Sequence, residues 1–170
     1  MNHIVLYHPE IPQNTGNIMR TCAATNMVLH LIEPLGFSLD TKYVKRSAAN
    51  YLEYVEYKVY KDYEHFLKEN KGEFYFITRY GQKTPDVINY NITNKDIYLI
   101  FGSESSGMPK EILKNQLDRC LRLPMSDKVR SLNLSNTVAI LAYEVLRQQG
   151  YIGLFNYEPD SLKGKDWLLK

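Results

Sequence analysis

Cysteine is scarce in this chain of 170 residues: only Cys22 and Cys120 occur, far apart and with no CxxC pair. That spacing supports neither a disulfide framework nor a thiolate metal site, and two reduced core thiols are expected. His3, His8, His30 and His65 share no metal-ligand spacing and the acidic residues do not cluster, so no metal is expected. Long apolar runs are missing too. None approaches the roughly 20 residues of a membrane-spanning helix, and the opening MNHIVLYHPE has neither a basic leader nor a long apolar segment. A soluble, cytoplasmic protein with no membrane contact is the expectation. Excess charge is small, with 21 Lys and Arg against 19 Asp and Glu. Composition therefore does not mark a nucleic-acid binder, and any RNA contact must use local patches. Nucleotide motifs are absent as well. No GxGxxG follows the first predicted strand. FGSESSGMP (101–109) places Gly102 and Gly107 at P-loop spacing, but Met108 and Pro109 stand where Lys and Ser or Thr are required. Glu104 adds a negative charge inside that turn. ATP, NAD and a nucleotide hydrolase activity are set aside on these grounds.

What is present is ordinary globular material, 44% hydrophobic and 24% charged, of a length suited to one domain. Tyrosine stands out with 14 residues. Tyrosine stacks on bases and fills dimer interfaces, although an AT-rich coding sequence also raises it.

Strand and helix patterns alternate along the chain. Residues 3–7, 27–33, 55–60, 73–78, 96–101 and 120–125 read as strands. A first helix is expected to be capped by Asn14 or Thr15 and to stop at Asn26. Further helices are predicted over 41–54, 63–70, 108–117 and 135–149, with Ser135 or Asn136 capping the last. This is the strand–helix–strand unit of a parallel sheet. Residues 154–170 form a tail without clear period, carrying Phe155, Tyr157 and Trp167.

Three loops rich in Gly, Asn or Ser follow predicted strands, on the side where open parallel sheets collect ligands. Any one alone could be an ordinary strand-to-helix turn. The 101–109 loop permits close backbone approach at its glycines. Its serines and Glu104 suit a ligand with a ribose, an adenine and a cationic centre. The 121–140 segment crowds Ser131, Asn133, Ser135 and Asn136 into six residues, more polar side chains than one helix cap requires. The first loop offers Asn14, Asn17 and Arg20. Arg20 falls early in its helix, near the positive end of the dipole, where a cation gains nothing from the helix; that points to an anionic partner such as an RNA phosphate. Lys42, Lys45 and Arg46 share one face of the 41–54 helix and form the best candidate RNA patch, with Arg79 and Lys83 as a second.

Together PEIPQNTGNIMRTCA (9–23), IEPLGF (32–37), FGSESSGMP (101–109) and RLPMSDKVRSLNLSNTVAILAYE (122–144) resemble the SPOUT class of RNA methyltransferases. They are most similar to its branch of tRNA (cytidine/uridine) 2′-O-methyltransferases of the wobble position. The likeness covers residues 1–153 and says nothing of the tail. It implies an α/β fold with a mostly parallel sheet flanked by helices and a C-terminal trefoil knot, an S-adenosylmethionine cofactor, a tRNA anticodon-loop substrate and a homodimer. Carried over by position, it implies that Ile77, Thr78, Gly102, Leu123, Met125, Ser131 and Leu132 surround the cofactor, with Glu104 beside it. Asn14, Arg20, Asn133 and Ser135 would face the substrate, and Tyr143 would lie at the dimer interface near the site.

The implied reaction is an in-line displacement in which positioning matters most. Arg20 cannot serve as a free base, since guanidinium stays protonated. Orienting the ribose and stabilising developing negative charge is the role expected of it. Two other readings stay open: a methyltransferase acting on ribosomal RNA or on a base, and a non-catalytic RNA-binding module of the same fold.

Overall fold

The structure is a computed structural model and describes residues 1–92 and 94–170. The expected alternation produces six strands: β1 Asn2–Tyr7, β2 Val28–Ile32, β3 Tyr57–Tyr60, β4 Glu73–Ile77, β5 Ile97–Phe101 and β6 Cys120–Leu121. Five helices accompany them: α1 Pro12–Thr25, α2 Lys42–Ala48, α3 Tyr63–Glu69, α4 Lys110–Leu113 and α5 Leu134–Gln148. The strands form one sheet in the order β3-β2-β1-β5-β4-β6, and every pairing is parallel. Ile4 stands opposite Leu29 on one side and Leu99 on the other.

Central parallel strands must be covered on both faces, and β2 and β5 are buried at all five positions. Alternate residues then point to opposite faces. Ile4, Leu6, Leu29, Leu31 and Leu99 join Ile18, Val44, Val138 and Leu141 from α1, α2 and α5. Val5, Ile32, Phe76 and Ile100 join Phe66 of α3 and Leu113 of α4 on the other face. The result is a sheet between two helical layers. Both cysteines are free and buried, and burial pushes the Cys22 thiol up to about 12.

Several boundaries depart from expectation for local reasons. α1 starts at Pro12, a good first helical residue, so Asn14 and Thr15 lie inside it and are buried. Its N-cap is Ile11, which has no capping group. Asn26 does stop the helix, in left-handed geometry, with its N–H on the Cys22 carbonyl. The helix expected over 41–54 breaks after Ala48 into a 3₁₀ segment, with non-helical φ/ψ at Asn50. The 108–117 helix shrinks to α4 and is followed by a 3₁₀ turn at Leu117–Arg119. β6 ends at Leu121 because the next amide, that of Arg122, donates to Lys83 O on a loop instead of continuing the ladder (2.8 Å). Pro124 then offers no N–H at all. The cap of α5 is Asn133, whose Oδ1 accepts from the amides of Ser135 and Asn136. Neither of the expected capping residues fills that role.

Candidate active site

The chain winds outward from β1 through β2 to β3, then returns on the far side of β1 for β4 and β5. Winding reverses between β1 and β5, and at such a reversal the loops beyond the carboxyl ends leave a crevice. The loop after β1 (residues 8–11) and the loop after β5 (102–109) face each other there.

Glu104 joins them. One carboxylate oxygen accepts from Glu10 N at 2.8 Å; the other accepts from Ile11 N at 3.0 Å and from Asn14 Nδ2 at 3.3 Å. Glu104 thereby supplies from another loop the acceptor that Ile11 lacks, and an anion at a helix N-terminus is favoured by the dipole. Asn14 passes the connection on: its Oδ1 accepts from Asn133 Nδ2 at 3.0 Å. Asn133 Oδ1 in turn takes the Ser135 amide at 2.9 Å and the Ser135 hydroxyl at 2.6 Å. Ser105 Oγ adds a second tie, donating to Glu10 Oε1 at 2.6 Å. The three loops singled out from sequence thus form one hydrogen-bonded wall.

Glycine is required in that wall. The 103–107 turn closes on itself through Ser103 N to Gly107 O (3.3 Å) and Gly107 N to Ser103 O (2.9 Å). It folds so tightly over Gly102 that a Cβ there would collide with the backbone of Gly107 and Met108. Gly107 itself takes φ +68°, the left-handed region natural to glycine.

The wall encloses a cleft of about 480 Å³, within the usual range for small-molecule sites. Ile77, Thr78 and Gly102 line it, as do Glu104, Leu123 and Met125. Ser131 and Leu132 complete the set of eight positions expected around the cofactor, and Asn14 and Asn133 reach the same space. Phe101, Ser103, Tyr80, Arg79 and Arg130 also line it. Glu104 is the one carboxylate among the lining residues, and no histidine is among them.

Other expected residues lie elsewhere. Ser135 is behind Asn133 and does not line the cleft. Arg20 is exposed on α1, with its guanidinium 5.1 Å from the centre of the Tyr51 ring, and also stays outside the lining. Lys42, Lys45 and Arg46 are exposed on α2. Tyr143 borders a different groove of about 560 Å³ with Asn26, Tyr151 and Phe155; no charged side chain lines it. In the second basic patch, Lys83 is paired with Asp118 Oδ1 at 3.3 Å, whereas Arg79 forms no ion pair among the described residues.

Lys95 and Arg119 pair with Glu73, Lys58 with Glu69 and Arg147 with Glu144. Among the described residues, Arg79, Arg122 and Arg130, at or beside the cleft, have no carboxylate partner, and Arg20, Lys42, Lys45 and Arg46 have none either. Tyr80 and Arg130 went unnoticed in the sequence because nothing local marks them; only the approach of two distant loops brings them to one rim.

The arrangement offers apolar walls, fixed backbone polar groups, one carboxylate braced by N–H groups, and two arginines in the lining. Comparison with known proteins agrees with that chemistry. A protein of Bacillus subtilis (strain 168), provisionally named tRNA (cytidine(34)-2′-O)-methyltransferase, is 57% identical over 150 residues, spanning 88% of this chain and 94% of that protein. A solved structure described as giving insights into the 2-OH methylation of C/U34 on tRNA is 38% identical, with a TM-score of 0.80, over 88% of this chain and 97% of that one. AviRb of Streptomyces viridochromogenes, solved in complex with the cofactor AdoMet, shares the fold at 17% identity and a TM-score of 0.74, over 90% of this chain and 58% of its own. The model of the SpoU rRNA Methylase family matches residues 1–143, and the chain belongs to that family.

Proposed function

We propose that this protein transfers a methyl group from S-adenosylmethionine to the ribose 2′-oxygen of nucleotide 34, the wobble position of tRNA, and that it works as a cytoplasmic homodimer. The observation that carries this reading is the Glu104–Asn14–Asn133 hydrogen-bond chain, which makes one cleft from three distant loops. The names carried by relatives supply the nucleotide. Among the described residues, no helix is long and apolar enough to cross a membrane.

The cleft fits the cofactor. Ile77, Leu123, Met125 and Leu132 provide apolar walls for an adenosine, and the glycine-lined turn at 102–107 exposes backbone polar groups at its edge. Glu104 has no cationic partner among the described residues, but three N–H groups at the start of α1 engage its oxygens and fix the carboxylate at the cleft edge. When bound, S-adenosylmethionine supplies an electrophilic methyl group on a sulfonium centre.

The chain's own residues position the reactants. Asn14 and Asn133 hold each other at the cleft edge and orient the ribose. Arg20 steadies the RNA and the charge that develops on the 2′-oxygen. Glu104 has both oxygens engaged and acts as a brace. The 2′-hydroxyl proton passes to a phosphate of the RNA, since no histidine lines the cleft. Because Arg20 does not reach the cleft of its own chain, we assign it to the cleft of a partner copy. The exposed Ile140 and Tyr143 of α5 would join the two copies.

The methyltransferase domain is proposed to span residues 1–153, with 154–170 as a tail. A knot at its C-terminal end is supported by one close approach. Gly81 leaves no room for a Cβ, whose nearest neighbours would be Leu121 C at 2.5 Å and Cys120 O at 2.8 Å. The 78–84 loop therefore wraps tightly on β6.

Incubating the protein with methyl-labelled cofactor and unmodified total tRNA, then mapping the labelled nucleoside, tests the reading. Label on the 2′-oxygen of nucleotide 34 is expected. Label confined to ribosomal RNA or to a base would replace the substrate. Absence of cofactor binding by calorimetry would leave a non-catalytic RNA module.

A further inference from the structure

Tyr80 is the most exposed tyrosine among the described residues, at 71%, and yet it lies on a loop that is held at several points. Its amide faces Thr78 Oγ1 at 3.3 Å, and Gly81 N donates to Thr78 O at 3.2 Å. Arg122 clamps the loop from below: its Nη1 donates to Arg79 O at 2.5 Å and its amide donates to Lys83 O at 2.8 Å. Gly81 presses directly on the backbone of β6. A single exposed aromatic ring is common on protein surfaces. A ring on a fixed loop, in the lining of a cleft and with the Arg79 guanidinium beside it, is a different case.

The Arg79 guanidinium lies 5.0 Å from the centre of the Tyr80 ring, within cation–π range. Arg79 has no carboxylate partner among the described residues, and neither has Arg130, which lines the same cleft. Other cation–aromatic pairs occur, such as Arg20 with Tyr51, but they stand away from the cleft lining. Unpaired bases bind on aromatic and guanidinium planes, and their phosphates bind cations. A ring and a planar cation beside a site that takes a ribose supply both at once.

We propose that Tyr80, backed by Arg79, is a stacking platform for an unpaired base of the RNA substrate beside the ribose in the cleft. This rests on the methyl-transfer reading above and adds a specificity-determining contact to it. Arg79 and Arg130, which share the cleft lining with Tyr80, supply cations for the neighbouring phosphates. The platform accepts any base by its π-face and so favours a looped-out, single-stranded nucleotide over a paired one.

The test uses the full chain with Tyr80→Ala, Tyr80→Phe and Tyr80→Trp, assayed on unmodified tRNA. Tyr80→Ala is expected to raise the KM for tRNA about tenfold, with kcat at saturating tRNA and cofactor affinity by calorimetry unchanged. Tyr80→Phe and Tyr80→Trp should keep the KM near that of the parent. An anticodon-loop oligonucleotide carrying 2-aminopurine should be quenched on binding the parent and not on binding Tyr80→Ala. If the parent methylates tRNA and Tyr80→Ala does so with the same KM, the platform is overturned and the methyl-transfer reading stands. If Tyr80→Phe is as impaired as Tyr80→Ala, the hydroxyl and not the ring is at work, which also overturns it. If the parent methylates no RNA, the reading beneath the proposal falls.

Discussion

Two polar chains of similar length cross this molecule, and they differ in one respect that decides what each does. At the carboxyl edge of the sheet, Glu104, Asn14 and Asn133 link three loops. On the α3 side of the sheet, His3 Nδ1 meets His30 Nε2 at 2.9 Å, and His30 Nδ1 meets Tyr60 Oη at 2.8 Å. Asn70 Nδ2 donates to that same Tyr60 oxygen at 3.1 Å, and Tyr98 Oη donates to Asn70 Oδ1 at 3.4 Å. Every member of this second chain is buried. Most of its hydrogen-bonding capacity is spent on itself inside the core, with His3 Nε2 left facing Asp96 at 3.5 Å, and no cleft opens on it among the described residues. In the first chain Asn14 is buried but Glu104 is half-buried and Asn133 exposed, on the wall of a cleft. Polar capacity left over beside a cavity is what makes a site, and a polar network alone does not.

The largest effect should come from altering the open chain without unfolding it. Asn133→Asp keeps the oxygen that caps α5 but loses the donor to Asn14. Methyl transfer should fall by about 10²–10³ in kcat, the usual cost of a lost oriented donor, with Tm nearly unchanged. Asn133→Ala should lose activity as well and also the cap, lowering stability by about 1 kcal/mol and Tm by about 2–4 °C. An Asn133→Asp variant with normal turnover would make the open chain as purely structural as the buried one.

Next comes the proposal that the open chain is completed by a second copy. Arg20→Ala and Asn133→Asp should each be inactive alone. Dimers reassembled from an equal mixture should regain about a quarter of the parent activity, because half of them carry one intact site of two. No recovery after subunit exchange would return Arg20 to its own chain.

Smaller again is the effect of the exposed cations on α2. Lys45→Glu with Arg46→Glu should weaken tRNA binding and make the log-affinity against log-salt slope shallower by about 1.5–2. Catalytic turnover at saturating tRNA should not change. An unaltered slope would remove that patch from the RNA surface.

The buried chain should respond to acid, in stability and not in turnover. Burial lowers the pKa of His3, and lowers that of His30 to about 3. His3 and His30 also sit nitrogen to nitrogen, so protonating both sets two N–H groups against each other. The unfolded chain takes up those protons near pH 6.5, the folded one at lower pH, about 3 for His30. Stability is therefore full above about pH 6.5 and falls as pH drops toward 3, by up to about 1.4 kcal/mol per pH unit for His30, with His3 adding to the loss in the same direction. Asp96, Glu69, Glu73 and Glu144, all lowered by ion pairs or hydrogen bonds, add to the loss only below their ordinary carboxylate range. A melting temperature that declines already between pH 6.5 and 5 would mark the histidines. A curve flat down to pH 4.5 would show that they do not matter.

Much of the frame could be read from residue order because buried parallel strands are short apolar runs and few other elements resemble them. Ile97–Phe101 is the clearest example, and its five residues are all buried. The three loops could be noted because glycine and asparagine concentrate in them. What could not be read depends on pairing across the chain. Glu104 looked like a charge waiting for a cationic ligand, yet 90 residues of separation hide the amides that it braces. Asn133 caps α5 two or three residues earlier than its neighbours suggested, since Ser135 and Asn136 are equally good capping types. β6 stops at Leu121 for want of a strand partner beyond Lys83, and no local pattern records that. Arg20 shows as a misfit in its helix, but the helix cannot tell which cleft it serves.

The most direct measurement is a crystal structure grown with S-adenosylmethionine. The cofactor should lie between the 102–107 turn and the 123–134 segment, with the Glu104–Asn14–Asn133 hydrogen bonds intact. Cofactor bound instead in the groove beside Tyr143 and Phe155, or a cleft without it at saturating concentration, would contradict the account.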